Sequence, residues 1–164
     1  MNQADFLALT ERFYQTSFTL TDVERLIGPI REHRGGTVFL TPRSNTSYSA
    51  AEIEVLEQTA GGQPFAASMD LVLKDAVVLD FDLLTQRFGP PKEGPIAHPG
   101  DPTPYRFLVT ERYDLDGFFE LFVPGAGAAG RNSVVRIILS RFTPQATEAG
   151  RRLRAIQAKL SKRK

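Results

Sequence analysis

Gly125-Ala126-Gly127-Ala128-Ala129-Gly130 matches G-x-G-x-x-G, the spacing that cradles a dinucleotide pyrophosphate between a strand and a helix. That chemistry also needs a helix after the glycines and a carboxylate about 20 residues on. Ser133 to Leu139, SVVRIIL, reads instead as a strand, and Gly150, Arg151 and Arg152 stand where the acid belongs. The run is read as a hairpin tip. His33 and His98 are the only histidines, and neither Glu32-His33 nor His98 with Asp101 has a metal-ligand spacing. Nor does the sequence set either beside an activated serine, so both are read as surface residues in loops. The carboxylate pairs Asp80/Asp82 and Asp114/Asp116 read as cap and turn residues rather than an acid–base pair. Without cysteine there is no thiolate nucleophile, thiolate metal site or disulfide. The expectation is a protein with no catalytic residue, metal or cofactor; an enzyme whose site is assembled from scattered residues is the third reading.

Two sets of residues suit recognition. The C-terminal RRLRAIQAKLSKRK carries Arg151, Arg152, Arg154, Lys159, Lys162, Arg163 and Lys164, an electrostatic tail suited to nucleic acid or an anionic membrane. Residues 1–130 hold 10 basic and 18 acidic side chains, a balance of −8, whereas 131–164 hold 10 basic residues and Glu148, a balance of +9. The acidic remainder would repel a phosphate backbone, and no aromatic residue in the tail offers base stacking. An acidic partner is the other reading, and the chain's own body is one such partner.

The second set lies in strands. With Tyr105, Phe107, Val109, Phe119, Leu121, Val123, Val135, Ile137 and Leu139 facing a core, alternation turns Arg106, Leu108, Phe118, Glu120, Phe122, Val134, Arg136 and Ile138 outward. Of these, Arg106, Phe118, Glu120, Phe122 and Arg136 form the candidate partner-binding set, since aromatics with arginine anchor interfaces. The alternative is that the terminal helix or the proline-rich loop covers this face.

The elements that position these residues follow from a repeated stretch. Phe18 to Glu32, FTLTDVERLIGPIRE, returns as Leu79 to Glu93, LDFDLLTQRFGPPKE. Each copy is a short amphipathic helix stopped by Gly-Pro, at Gly28-Pro29 and Gly89-Pro90. Thr21 with Glu24 fits a capping box, and Asp82 fits the N-cap of the second copy. A first helix over 3–15 packs by Phe6, Leu9 and Phe13. Strands are expected at 37–41, 51–57 and 65–73, with a turn at Ala60 to Pro64, and again at 105–110, 118–123 and 133–142. The loop from Gly89 to Pro104 holds six of the 11 prolines. A basic helix over 145–160 closes the chain with Ala149, Leu153, Ile156 and Leu160 on one face.

Runs of helix then strands, without strict alternation, predict an α+β fold with antiparallel sheet. The expected domain is single, 1–164, built of two helix–β-meander repeats over about 4–73 and 79–142 plus the C-terminal helix. Residues 20–29, LTDVERLIGP, and 82–90, DLLTQRFGP, with the strands behind each, resemble the tandem plan of β-lactamase-inhibitor-like proteins and small outer-membrane assembly lipoproteins. Those families are exported and often hold cysteines, which this chain lacks. The resemblance implies a concave, protein-binding sheet without catalysis. The leading expectation is therefore a non-enzymatic protein-binding module of inhibitor, immunity or assembly-adaptor type, with another protein as partner and no small-molecule ligand. The alternative is a basic-tailed nucleic-acid or secretion-chaperone-like accessory protein. No leader pattern or membrane-length apolar run is seen, so the cytoplasm is the default, or the periplasm if a leader has been removed.

Overall fold

A computed structural model describes residues 1–56, 64–125 and 131–162, the Arg131 side chain excepted. Two helices, α1 (Gln3–Phe13) and α2 (Leu20–Leu26), precede β1 (Ile30–Arg34), β2 (Thr37–Leu40), β3 (Tyr48–Leu56) and β4 (Phe65–Asp80). Then come α3 (Phe81–Phe88), β5 (Lys92–Glu93), β6 (Thr103–Val109), β7 (Gly117–Val123), β8 (Arg131–Arg141) and α4 (Pro144–Ser161). All eight strands join one antiparallel sheet in the order β1-β2-β3-β4-β8-β7-β6-β5. The expected α+β class with antiparallel sheet is therefore present, but α2 and α3 are each followed by four strands where three were expected. The additional strands, β1 after α2 and β5 after α3, are short and polar (IREHR and KE), so hydrophobic alternation does not mark them.

The starts of α2 and α3 are set by side-chain oxygens two residues earlier than the sequence pattern places them. Thr19 caps α2 in a reciprocal box with Asp22, replacing the expected Thr21/Glu24 pair. Asp80, not Asp82, caps α3 by accepting from the N–H groups of Asp82 and Leu83. Gly28 and Gly89 do lie just past the helix ends, at φ 158° (close to extended) and φ 88°. Gly28 is where β2's continuation passes: a Cβ there would stand 1.9 Å from the Thr41 carbonyl oxygen.

One face of the sheet is packed under α1, α2 and α3. Phe6, Phe13, Val23, Ile27, Phe81 and Leu84 from the helices meet Ile53, Met69, Leu71, Phe107, Phe119, Leu121, Ile137 and Leu139 from the strands. Edge-to-face and stacked rings at 5.0–5.5 Å join Phe6, Phe119, Phe107 and Phe81 across this layer. The buried Arg141 ties the layer to the sheet. Its guanidinium donates to the carbonyls of Phe13, Gln15, Phe18 and Ala66 at 2.7–3.0 Å, with Phe13, Phe18 and Phe65 rings around it. Burial pulls its pKa down to about 10, which leaves it charged at neutral pH.

The outward assignment of Val134 is corrected here. The β4–β8 register shifts between Val72 and Val77, so the alternation in β8 changes phase and Val134 is buried opposite Val77.

Candidate functional site: the open face of the sheet

Register fixes the five candidate residues as neighbours. Glu120 of β7 lies opposite Arg106 of β6 and Ile138 of β8, while Phe122 lies opposite Pro104 and Arg136, and Phe118 opposite Leu108 and Ser140. Strand alternation turns all of them away from the helix layer, because Phe119, Leu121, Phe107, Ile137 and Leu139 take the core side. Arg106, Phe118, Glu120, Phe122 and Arg136 are thus contiguous on one face.

Each phenylalanine lies under a guanidinium. The Arg106 side chain lies over the Phe118 ring at 4.1 Å from its centroid, and its Nε and Nη2 donate to Glu120 Oε1 at 2.9 and 2.6 Å. Arg136 lies over Phe122 at 5.0 Å, and its Nε donates to Asp70 Oδ1 at 2.8 Å. That hydrogen bond, against opposing desolvation, raises the Arg136 pKa above its ordinary value. A third unit of the same kind stands on β1 and β2: Arg34 lies over Phe39 at 5.4 Å and donates to Glu32. Each exposed pair is worth only about 0–1 kcal/mol, and each ring–cation contact about 0.5–1 kcal/mol. The units therefore shield rings from water without locking them away.

Asp70, Phe39, Arg34 and Glu32 were missed by the sequence reading. Two-residue alternation marks Phe39 against Val38 and Leu40, and Asp70 against Met69 and Leu71; the arginine that meets each ring is visible only in the cross-strand register. Leu108, 61% exposed, and Val72 add uncovered apolar surface, and Glu52 and Glu54 stand exposed on β3.

The terminal helix does not cover this face. Leu153, Ile156 and Leu160 are 55–59% exposed, and α4 is held instead through Thr147, Arg151 and Arg154. Thr147 Oγ1 accepts from the Asp116 N–H, and both arginines donate to the Asp116 carboxylate, which is only 4% exposed and also accepts from the Glu111 N–H. Three exposed aliphatic side chains forgo roughly 1.5–3 kcal/mol of burial each. Arg151 and Arg154 are thereby removed from the free electrostatic tail: their charges are spent on Asp116. Arg152 pairs with Glu148, Lys159 and Lys162 are exposed, and Arg163 and Lys164 lie outside the described residues.

Burial acts to raise the Asp116 pKa, but hydrogen bonds from Arg151, the Glu111 N–H and Arg154 outweigh it, and the pKa is lowered. A carboxyl with a depressed folded pKa contributes stability that is complete above its unfolded value of about 3.9. That contribution is lost as pH falls through the folded value. Asp116→Asn should lower stability at pH 7 by about 1–3 kcal/mol, and the deficit should vanish in strong acid. Deleting 151–164 should cost a similar amount, because it removes both arginines from Asp116. Thermal melts at several pH values, with tryptic cleavage at Arg151 and Arg152 as a monitor of α4, check both.

His33 lies on β1 rather than in a loop, and His98 is in the loop before β6; both are exposed. Among the described residues no group of three or more His, Asp or Glu is placed to hold a metal ion, and no helix is long and apolar enough to cross a membrane. Of the G-x-G-x-x-G run only Gly125 is described, between β7 and the strand β8; the rest of that tip and the turn at 60–63 lie outside the described residues. No protein-family model, curated protein or solved structure matches the chain.

Proposed function

We propose that this chain is a non-enzymatic protein-binding module that presents the open sheet face to another protein, in the manner of an inhibitor, immunity protein or assembly adaptor. The observation that carries the reading is the uncovered row Arg106–Phe118–Glu120–Phe122–Arg136, in which aromatic rings are shielded only by side chains that can swing aside. Aromatics and arginines on a rigid sheet are interface anchors with little ordering left to lose. The fitting partner carries apolar side chains for Phe118, Phe122 and Leu108, and basic groups for Glu52 and Glu54. The scaffold is proposed to be two αββββ halves, 20–80 and 81–141. The order β1 to β4 running into β8 to β5, and a Gly-Pro after both α2 and α3, support that internal duplication.

Affinity capture with the wild-type chain and with Phe118→Ala/Phe122→Ala tests the reading. Both rings are only half-buried, so the double substitution should leave the melting temperature within a few degrees while binding falls at least about 30-fold, or 2 kcal/mol. Capture by the sheet should survive about 0.5 M salt, whereas capture by the basic tail should fade. Equal capture by both proteins would remove the open face from the account.

A further inference from the structure

The cover that the open face lacks is matched by a helix on the same chain. Thr147, Arg151 and Arg154 turn one side of α4 toward Asp116. At 100° per residue, Ala149, Leu153, Ile156 and Leu160 lie on the opposite side, about half a turn round. The apolar stripe of α4 therefore points away from the body that holds it, and Arg152 and Lys159 flank it. It cannot fold back onto its own sheet while Arg151 and Arg154 hold Asp116.

We propose that the open sheet face of one copy receives α4 of a second copy, with the exchange made in both directions. The inference rests on that face being a protein-binding surface and names its partner. Dimensions agree: residues 153–160 span about 10 Å of helix. That matches the two strand spacings, about 9.6 Å, from β7 across β8 to β4. From Phe122 this path crosses Arg136 to Val72, with Ile138 two residues along β8 and Phe118 four residues along β7 on the same face. Charge agrees as well. With Arg151 and Arg154 held at Asp116 and Arg152 paired with Glu148, α4 still offers the exposed Lys159 and Lys162, and the open face offers the exposed Glu52 and Glu54. Glu52 and Glu54 lie on β3, one strand beyond β4, where Lys159 would meet them. Pairing α4 with α4 would set two basic helices together, and an anionic membrane would meet the acidic body. Reciprocal exchange also closes at two copies and leaves no open end for further growth.

Sedimentation of the full chain over about 1–100 µM tests this. The wild type should be a dimer that persists at about 0.5 M salt, because apolar contact rather than exposed ion pairs carries it. Leu153→Asp/Ile156→Asp, on an exposed stripe whose loss leaves the fold intact, and Phe122→Glu on the sheet should each raise the dissociation constant at least about 100-fold. An equimolar mixture of the two variants should form a heterodimer, because one of its two helix–sheet contacts is undamaged. A wild type that is monomeric throughout overturns the exchange, as does a dimer that either variant retains or a mixture that stays monomeric. The sheet-face reading fails separately. Benzoylphenylalanine at position 122 that crosslinks a different protein retires only the self-exchange; one that crosslinks nothing, in pure chain or extract, retires both.

Discussion

Arg141→Ala should cost about 3–5 kcal/mol and lower the melting temperature by roughly 10 °C or more. The guanidinium caps the end of α1 through the carbonyls of Phe13 and Gln15, reaches Phe18 in the following loop, and holds β4 through Ala66. Alanine would leave four carbonyls short of a donor and open a hollow among three phenylalanine rings. Arg141→Lys should recover only part of the loss, since one ammonium cannot reach the same spread of acceptors or stack as a planar fork does. Arg141→Met would fill the hollow but supply no donor, and should fall near the alanine value. Urea unfolding of the three variants separates these terms; a cost below about 1 kcal/mol for alanine would mean that water replaces the guanidinium without penalty.

Gly28→Ala and Gly89→Ala should differ sharply, although the two glycines occupy matching places after α2 and α3. At Gly28 the new methyl would sit 1.9 Å from the Thr41 carbonyl oxygen and 3.2 Å from the Arg43 nitrogen. Both are backbone atoms, fixed by hydrogen bonds from Thr41 to Pro29 and from Arg43 to Ile27. Relief requires that β2's continuation move, so a loss of about 3 kcal/mol or more is expected, in the range of overpacked cores. At Gly89 nothing lies within 4 Å of the added methyl, and only the φ of 88° resists it, for about 1–2 kcal/mol. Thermal melts of the pair give the comparison. Equal losses would show that the turn conformation, not the close approach of Thr41, makes Gly28 necessary.

The sequence carries the inner half of this protein better than the outer half. Phe6, Leu9 and Phe13 at helical spacing, and Phe119/Leu121 or Met69/Leu71 at strand spacing, identify the core because burial acts on each side chain locally. The Gly-Pro stops are visible for the same reason. Val134 was misplaced because a register shift 60 residues away in β4 decides which way β8 faces, and no local pattern records it. Asp116 reads as a turn residue, and it is one; that Arg151 and Arg154 return to it depends on where β8 ends. On the open face, Phe118 and Phe122 could be placed by alternation. The arginines lying over them, and the carboxylates of Glu120 and Asp70 that hold those arginines, come from neighbouring strands whose pairing the sequence does not state.

Site-scanned photocrosslinking tests the central claim that the open face is the binding surface. Benzoylphenylalanine would replace, one at a time, Leu108, Phe118 and Phe122 on that face, and Leu83, exposed on α3 on the other side of the sheet. The account predicts protein adducts from the first three positions and none from Leu83. Adducts from Leu83 with none from Leu108, Phe118 or Phe122 would contradict it.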